Sequence, residues 1–138
     1  MRKILFVCHG NICRSVMAEF IFKYKAKDLD FKCESRALSN EEEGNDIYYA
    51  AKETLDKHHI PCTRHSAKKI TLKDYEDFDD IYIMDSSNQR IIDNMFDDYK
   101  HKIKKLAPFD IADPWYTRDF EKTFNEISSA IDCIIKTW

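Results

Sequence analysis

Two residues near the N-terminus could act together on a bound anion: Cys8, a potential nucleophile, and Arg14, whose guanidinium holds oxyanions. Five residues separate them, after an apolar strand at residues 4–7 and before a helical pattern. Such a loop directs backbone N–H groups and the positive end of the helix dipole towards an anion. The same field favours a thiolate, the form of cysteine that attacks. The segment therefore predicts a thiolate facing a bound phosphate, the alternative being a structural cysteine that ends a core strand.

Asp113 is the candidate for the second half of this chemistry. A phosphate ester releases its alcohol readily only if the departing oxygen receives a proton, and a carboxylic acid on a facing loop can supply it. Asp113 precedes Pro114 in a turn between the predicted fourth strand and the last helix. Since Asp-Pro is also a common turn initiator, the acid role depends on the presence of the anion-binding loop.

Apolar patterns predict the elements that must position these residues. Continuous apolar runs indicate strands buried on both faces, and apolar residues at helical spacing indicate amphipathic helices. Strands are predicted at residues 2–7, at residues 31–33 with the residues that follow them, at residues 80–85 and at residues 103–106. Four helices are predicted, the first after residue 15 and the others at residues 50–57, 89–99 and 121–135. Ser15 can cap the first helix, and Ser86 or Ser87 can cap the third. This alternation predicts an α/β fold with a parallel sheet covered on both faces, with ligands bound at the carboxyl ends of its strands.

Length and composition restrict the class of protein. The 138 residues suit a single domain, and a net charge of −3 gives no basis for binding nucleic acid. No apolar run approaches the ~20 residues of a membrane span, and the N-terminus lacks a signal-peptide pattern, so a cytoplasmic protein without a membrane association is expected. The five cysteines lack metal-ligand spacing and are expected to be reduced thiols. Neither a metal nor a cofactor is expected, because Arg14 and the loop supply the positive field.

Residues 8–15 resemble the phosphate-binding loop of the low-molecular-weight protein tyrosine phosphatases, which reads Cys-x-Gly-Asn-x-Cys-Arg-Ser, at every fixed position. Residues 17–19, 78–80, 84–88 and 113–116 extend the resemblance over essentially the whole chain. It implies an open four-stranded sheet of flavodoxin-like order 2-1-3-4, with the phosphate-binding loop after strand 1. It also implies tyrosine-phosphorylated proteins as substrates, a phosphocysteine intermediate, and inorganic phosphate or other oxyanions as ligands of the loop.

The resemblance also implies roles for individual residues. Cys8 is the nucleophile, Arg14 holds the phosphate, and Asp113 is the general acid and then the base that activates water. The expected substrate-binding residues are His9, Gly10, Asn11, Ile12, Cys13, Ser15, Glu41, Trp115 and Tyr116. Asn11, Ser15 and His65 are expected to support the loop, and Cys8 and Cys13 to form a protective, reversible disulfide.

Each of these roles has a plainer alternative. Cys13 could be a small apolar residue at a helix start, and His65 an ordinary exposed histidine. Either Trp115 or Tyr116 could pack into the core instead of lining the site. Glu41 belongs to the acidic run 41–43, which could be a solvated loop or could favour basic residues beside the phosphorylated side chain.

Five positions depart from the family pattern, namely His9, Val16, Arg36, Leu38 and Glu41, so substrate preference cannot be transferred from the resemblance. Two other functions remain open. An arsenate reductase on the same fold needs further cysteines close together, yet none lies between Cys62 and Cys133. A catalytically silent phosphotyrosine-binding module predicts a missing nucleophile or acid, yet both are present.

Overall fold

The computed structural model describes residues 1–138 and contains one parallel sheet of four strands in the order β2-β1-β3-β4. The strands are β1 (Arg2–Cys8), β2 (Phe31–Ala37), β3 (Asp80–Ile83) and β4 (Ile103–Lys105). The helices are α1 (Arg14–Lys25), α2 (Tyr49–Lys57), α3 (Leu72–Asp77), α4 (Ser86–Met95), α5 (Pro114–Thr117) and α6 (Phe120–Ile135). The predicted α/β fold, with its parallel strands and their order, is confirmed.

Alternate residues of β1 show that both faces of the sheet are covered. Ile4 and Phe6 belong to a core cluster that includes residues of α1, α2 and α6. Leu5 and Val7 point the other way, into a second cluster with Tyr75 of α3 and Ile92 of α4. Because neighbouring side chains of a strand alternate between faces, a strand covered twice must be apolar throughout. The apolar run of β1 therefore reflects its central position.

Several predicted element boundaries are wrong, each for a local reason. Helix α1 begins at Arg14, and Ser15 makes no capping bond because its hydroxyl turns towards the loop. Helix α4 begins at Ser86 because Asp85, rather than a serine, accepts the hydrogen bond of the N-terminal turn. The same helix ends at Met95, since Phe96 is extended with φ −135°.

No helix has the combination of length and apolar composition that a membrane crossing requires.

Candidate active site

Cys8 is the last residue of β1, at the carboxyl end of the sheet. Strand β1 pairs with β2 on one side and with β3 on the other, so the strand order reverses beside it. Such a reversal leaves a crevice at the strand ends, where ligands bind in open α/β sheets. Cys8 is buried, and its Sγ lies 3.1 Å from Oγ of Ser15 and 3.4 Å from the Ser15 backbone nitrogen. The loop therefore folds back so that the start of α1 contacts the sulfur.

Asn11 fixes the shape of this loop. It is fully buried and has a left-handed backbone with φ 61°, a conformation that asparagine tolerates better than most residues. Its Nδ2 donates to Oγ of Ser15 at 2.7 Å and to Oγ of Ser35 at 3.0 Å. Because Ser15 Oγ already accepts from Asn11, its own hydrogen is free to point at the sulfur of Cys8. Ser15 thus contacts the Cys8 sulfur through both its hydroxyl and its backbone nitrogen.

The Asn11 side chain is held in turn by residues outside the loop. The backbone N–H of Lys68 donates to its Oδ1 at 3.2 Å. Ser35 donates to the buried Glu19 at 2.6 Å, which leaves the serine oxygen to accept from Asn11. His65 Nε2 lies 2.7 Å from the backbone oxygen of Asn11 and must donate to it, since a carbonyl oxygen only accepts. The structure thus brings His65 to the loop, as predicted for a supporting residue.

Arg14 lies on the floor of the site, where its guanidinium is almost completely buried. Its Nη1 donates to Oδ2 of Asp85 and to the backbone oxygen of Ile111, both at 2.8 Å, and its Nη2 lies 3.4 Å from Oδ2 of Asp113. Burial opposes the charge, but Cys8, Asp113 and Asp85 outweigh it and raise the pKa of Arg14 above its usual value. Arg14 is thus a permanent cation close to Cys8.

Asp85 is a site residue that the sequence analysis missed. Its Oδ1 accepts from the N–H of Asn88 at 2.7 Å and so caps α4, while its Oδ2 binds Arg14. One sequence signal could have identified it, a carboxylate directly after a buried strand whose end adjoins the loop.

Asp113 faces Arg14 from the turn before α5. Its Oδ1 accepts from the backbone N–H of Trp115 at 3.0 Å, so that Asp113 caps this short helix at Pro114. With Oδ1 engaged, Oδ2 is the oxygen that points towards the loop. The structure therefore brings Asp113 to the loop that contains Cys8 and Arg14, although Asp113 lies 99 residues after Arg14 in the sequence.

Arg14 and Asp113 line a cavity of about 580 Å³, together with the loop residues that follow the buried Cys8. Most of the predicted substrate-binding residues border it, and these are His9, Gly10, Ile12, Cys13, Glu41, Trp115 and Tyr116. Asn11 and Ser15 lie beneath the loop and act on its shape. Neither aromatic residue packs into the core, because Trp115 is 45% exposed and Tyr116 is 81% exposed. The alternative that one of them is a core residue is wrong.

Comparison with known proteins agrees with this geometry. Residues 3–137 match the family described as low molecular weight phosphotyrosine protein phosphatase. The chain belongs to this family. A relative from Staphylococcus aureus, low molecular weight protein-tyrosine-phosphatase PtpA, is 35% identical over 98% of this chain and 92% of its own length.

Solved structures show the same fold. The low molecular weight protein tyrosine phosphatase SP-PTP from Streptococcus pyogenes is 36% identical, with a TM-score of 0.95 over 99% of this chain and 93% of its own. YfkJ from Bacillus subtilis is 30% identical, with a TM-score of 0.94 over 99% of this chain and 94% of its own. The predicted family is confirmed, and an arsenate reductase or a silent binding module is not favoured.

Cys13 of this phosphatase is a different kind of thiol from Cys8. It is buried at the start of α1, and burial, together with the nearby Cys8 and Asp113, raises its pKa to about 12. Cys13 is therefore a neutral thiol at physiological pH and a poor nucleophile.

Three of the five departures from the family pattern lie outside the cavity. One of them, Val16, is fully buried in the core. Arg36 is buried on β2, where its Nε donates to Oδ2 of Asp74 at 3.1 Å. Leu38 packs in the core cluster on the α3 and α4 side of the sheet. None of these three side chains lines the site, so only His9 and Glu41 change its walls.

Proposed function

We propose that residues 1–138 act as a single phosphatase domain that hydrolyses the phosphotyrosine of protein substrates through a covalent phosphocysteine. The observation that supports this proposal is the placement of Arg14 and Asp113 at one cavity, which is also lined by the loop that begins at the buried Cys8. Arg14 lies within 3.4 Å of Asp113, and Cys8 lies at the other end of the same short loop. Phosphate and other oxyanions are the ligands of this loop, because its N–H groups and Arg14 supply positive charge.

In the first step the thiolate of Cys8 attacks phosphorus, and the bond between phosphorus and the tyrosine oxygen breaks. Arg14 and the loop N–H groups hold the three non-bridging oxygens, where negative charge collects in the transition state. Asp113 enters protonated and gives its hydrogen, carried on Oδ2, to the departing phenolate. The products are the dephosphorylated tyrosine side chain of the substrate and a phosphate bonded to the sulfur of Cys8.

In the second step water attacks the phosphocysteine. Asp113, now a carboxylate, takes a proton from this water as the bond between sulfur and phosphorus breaks. Inorganic phosphate leaves and the Cys8 thiolate is restored. The division replaces one difficult displacement by two easier ones, and the Asn11–Ser15 contacts stabilise the thiolate as the leaving group.

The walls of the cavity favour an aryl phosphate. Trp115 lies edge-on to Tyr48 with ring centroids 5.1 Å apart, so its ring is held in place although it is exposed. A rigid aromatic wall contacts the ring of phosphotyrosine, whereas phosphoserine offers no ring and is shorter. The phosphatase is proposed to act on tyrosine-phosphorylated proteins of the cytoplasm.

Hydrolysis of para-nitrophenyl phosphate in the presence of EDTA tests the activity. Cys8→Ser should lose turnover while still binding vanadate, because the loop remains. If Cys8→Ser retained turnover, Cys8 would not be the nucleophile. If the reduced wild-type protein showed no turnover, the phosphatase reading would be wrong.

Asp113→Ala tests the acid. The loss of kcat should be greater for phenyl phosphate than for para-nitrophenyl phosphate, because only the poorer leaving group needs a proton. Equal losses for both substrates would remove Asp113 from this role.

We also propose that Cys13 protects the nucleophile. A peroxide oxidises Cys8 to the neutral sulfenic acid, which removes one of the charges that raise the pKa of Cys13. Cys13 then loses its proton and attacks that sulfur, releasing water and forming a disulfide that a dithiol reduces. Peroxide should therefore inactivate the wild-type protein reversibly and the Cys13→Ser variant irreversibly. Recovery of Cys13→Ser with dithiothreitol to the wild-type extent would exclude this protection.

A further inference from the structure

We propose that Glu41, held beside His9 at the mouth of the cavity, selects substrates that carry Lys or Arg next to the phosphotyrosine. This inference rests on the proposed function and names the class of phosphoprotein that the site prefers. It starts from one contact in the structure, a distance of 3.6 Å between Nε2 of His9 and Oε1 of Glu41.

The exposure of the charged side chains increases from the floor of the cavity to its mouth. Arg14 is 3% exposed, Asp85 16% and Asp113 29%. His9 is 49% exposed and Glu41 is 72% exposed. A phosphate held by Arg14 is therefore deep in the site, and the residues that flank the phosphotyrosine lie at the level of Glu41.

Glu41 is the member of the acidic run whose carboxylate faces the mouth without a firm partner. The carboxylate of Glu42 is engaged by Nδ2 of Asn45 at 2.6 Å. That of Glu43 accepts from the backbone N–H of Lys69 at 3.3 Å, and Glu43 does not line the cavity. Only the 3.6 Å contact with a histidine engages the carboxylate of Glu41. A lysine or arginine of the substrate forms a stronger pair with it, because that cation is permanent.

Backbone contacts hold Glu41 at a fixed place relative to the nucleophile. The backbone oxygen of His9, the residue after Cys8, accepts from the N–H groups of Leu38 and Ser39, both at 3.1 Å. The hydroxyl of Ser39 in turn accepts from the N–H of Glu41 at 3.5 Å. Hydrogen bonds thus connect residues 38–41 to the phosphate-binding loop, so the charge of Glu41 stays close to any substrate whose phosphate is bound there.

The opposite wall offers no free cation to an acidic substrate. Arg14 is the only lysine or arginine that lines the cavity, and Asp85 and Asp113 engage it. Arg118 does not line the cavity. Its guanidinium carbon lies 5.7 Å from the centroid of the Trp115 ring, and its Nη2 donates to the hydroxyl of Tyr48 at 2.7 Å. Acidic residues beside the phosphotyrosine are therefore repelled by Glu41 and find no unpaired cation among the residues that line the cavity. A lysine or arginine at the same place pairs with the Glu41 carboxylate.

The test measures kcat/KM for three phosphotyrosine peptides that differ only in the residues on either side of the phosphotyrosine, which are lysine, alanine or glutamate. For the wild-type protein we expect the lysine peptide to exceed the glutamate peptide by about fivefold at low salt, the scale of exposed ion pairs. Glu41→Lys should reverse this order, and Glu41→Gln should make the peptides nearly equal. The preference should weaken at high salt, where exposed charges are screened.

Glu43→Lys is the matched control, since it makes the same change of charge two residues away and outside the cavity. It should keep the wild-type order of the peptides. The inference is overturned if all peptides are hydrolysed with the same ratios by the wild-type and Glu41→Lys proteins, or if Glu43→Lys changes the ratios as much as Glu41→Lys does. If no phosphopeptide is hydrolysed by any of the proteins, the proposed function itself fails.

Discussion

Replacement of Asp85 by asparagine should destabilise the phosphatase by removing the charge that balances Arg14. Asparagine has the same shape and is as good a helix cap as aspartate, so the N-terminal turn of α4 keeps its partner. Its single oxygen can accept from Asn88 or from Arg14, but not from both as the two carboxylate oxygens do at 2.7 and 2.8 Å. The substitution therefore removes the ion pair with Arg14 and keeps the helix cap.

The magnitude follows from the burial of the pair. Loss of one partner of a buried ion pair costs roughly 3–5 kcal/mol, and a hydrogen bond to a charged group is worth about 1.5–3 kcal/mol. Arg14 keeps its bond to the Ile111 oxygen, and Asp85 is 16% exposed, so the lower range applies. We expect a loss of about 2–3 kcal/mol in the free energy of unfolding without ligand. A less well oriented guanidinium should also lower kcat by about tenfold to a hundredfold.

Urea unfolding with and without vanadate measures this effect. An oxyanion in the loop provides Arg14 with new negative charge, so the stability difference between Asp85→Asn and wild type should shrink when vanadate is saturating. By linkage, this shrinkage equals the gain in vanadate affinity of the variant. A separate measurement of vanadate affinity therefore checks the urea result, because linkage requires the two values to agree.

Asp119→Asn is the control, because Asp119 caps α6 by accepting from the N–H of Lys122 at 3.0 Å but is exposed and has no buried cation beside it. It should change stability by less than about 0.5 kcal/mol. If Asp85→Asn were no more destabilised than Asp119→Asn, or if vanadate left its deficit unchanged, Asp85 would not be balancing a buried charge.

Three further predictions concern single groups. Iodoacetamide at neutral pH should label Cys8 at least about a hundredfold faster than Cys13, because burial and Cys8 raise the pKa of Cys13 to about 12 and leave it protonated. Asn11→Ala should lose about 1 kcal/mol more stability in urea than Asn11→Gly, because alanine is strained at φ 61° and glycine is not. Burial would raise the pKa of Asp80, but the bond from Arg2 at 2.8 Å holds it below its usual value, so the Asp80 carboxylate stabilises the fold at neutral pH. Asp80→Asn should therefore cost about 1–3 kcal/mol at pH 7 and progressively less as the pH falls below about 4.

Each of these predictions has an outcome that contradicts it. Peptide mapping that found both cysteines labelled at similar rates would mean that Cys13 is not a protonated, buried thiol. Equal stabilities of the two Asn11 variants would show that the loop stores no backbone strain. A deficit of Asp80→Asn that stayed constant down to about pH 2 would show that it does not depend on the ionised carboxylate.

The sequence determined the fold and the central chemistry because both depend on local patterns. The apolar run of β1 is possible only for a strand covered on both faces, and the alternation of strands with helices fixes a parallel sheet. Cys8 and Arg14 lie in one short loop between a strand and a helix, so their spacing alone predicts an anion site. Asp113 was predicted as the acid because the chemistry requires one, the Asp-Pro turn could present it, and the resemblance to the family implies this role.

The tertiary structure alone decided the contacts between distant segments. Asp85 reads as an ordinary residue after a strand, and only the parallel pairing of β1 with β3 places it against Arg14. The exposure of Trp115 likewise depends on how the turn before α6 lies on the rest of the fold. From the sequence, Glu41 could belong to a solvated loop or lie at the mouth of the cavity. The hydrogen bonds of its loop to the His9 oxygen place it at the mouth. These outcomes depend on which surfaces meet, and pairings between distant residues leave no periodic pattern in the sequence.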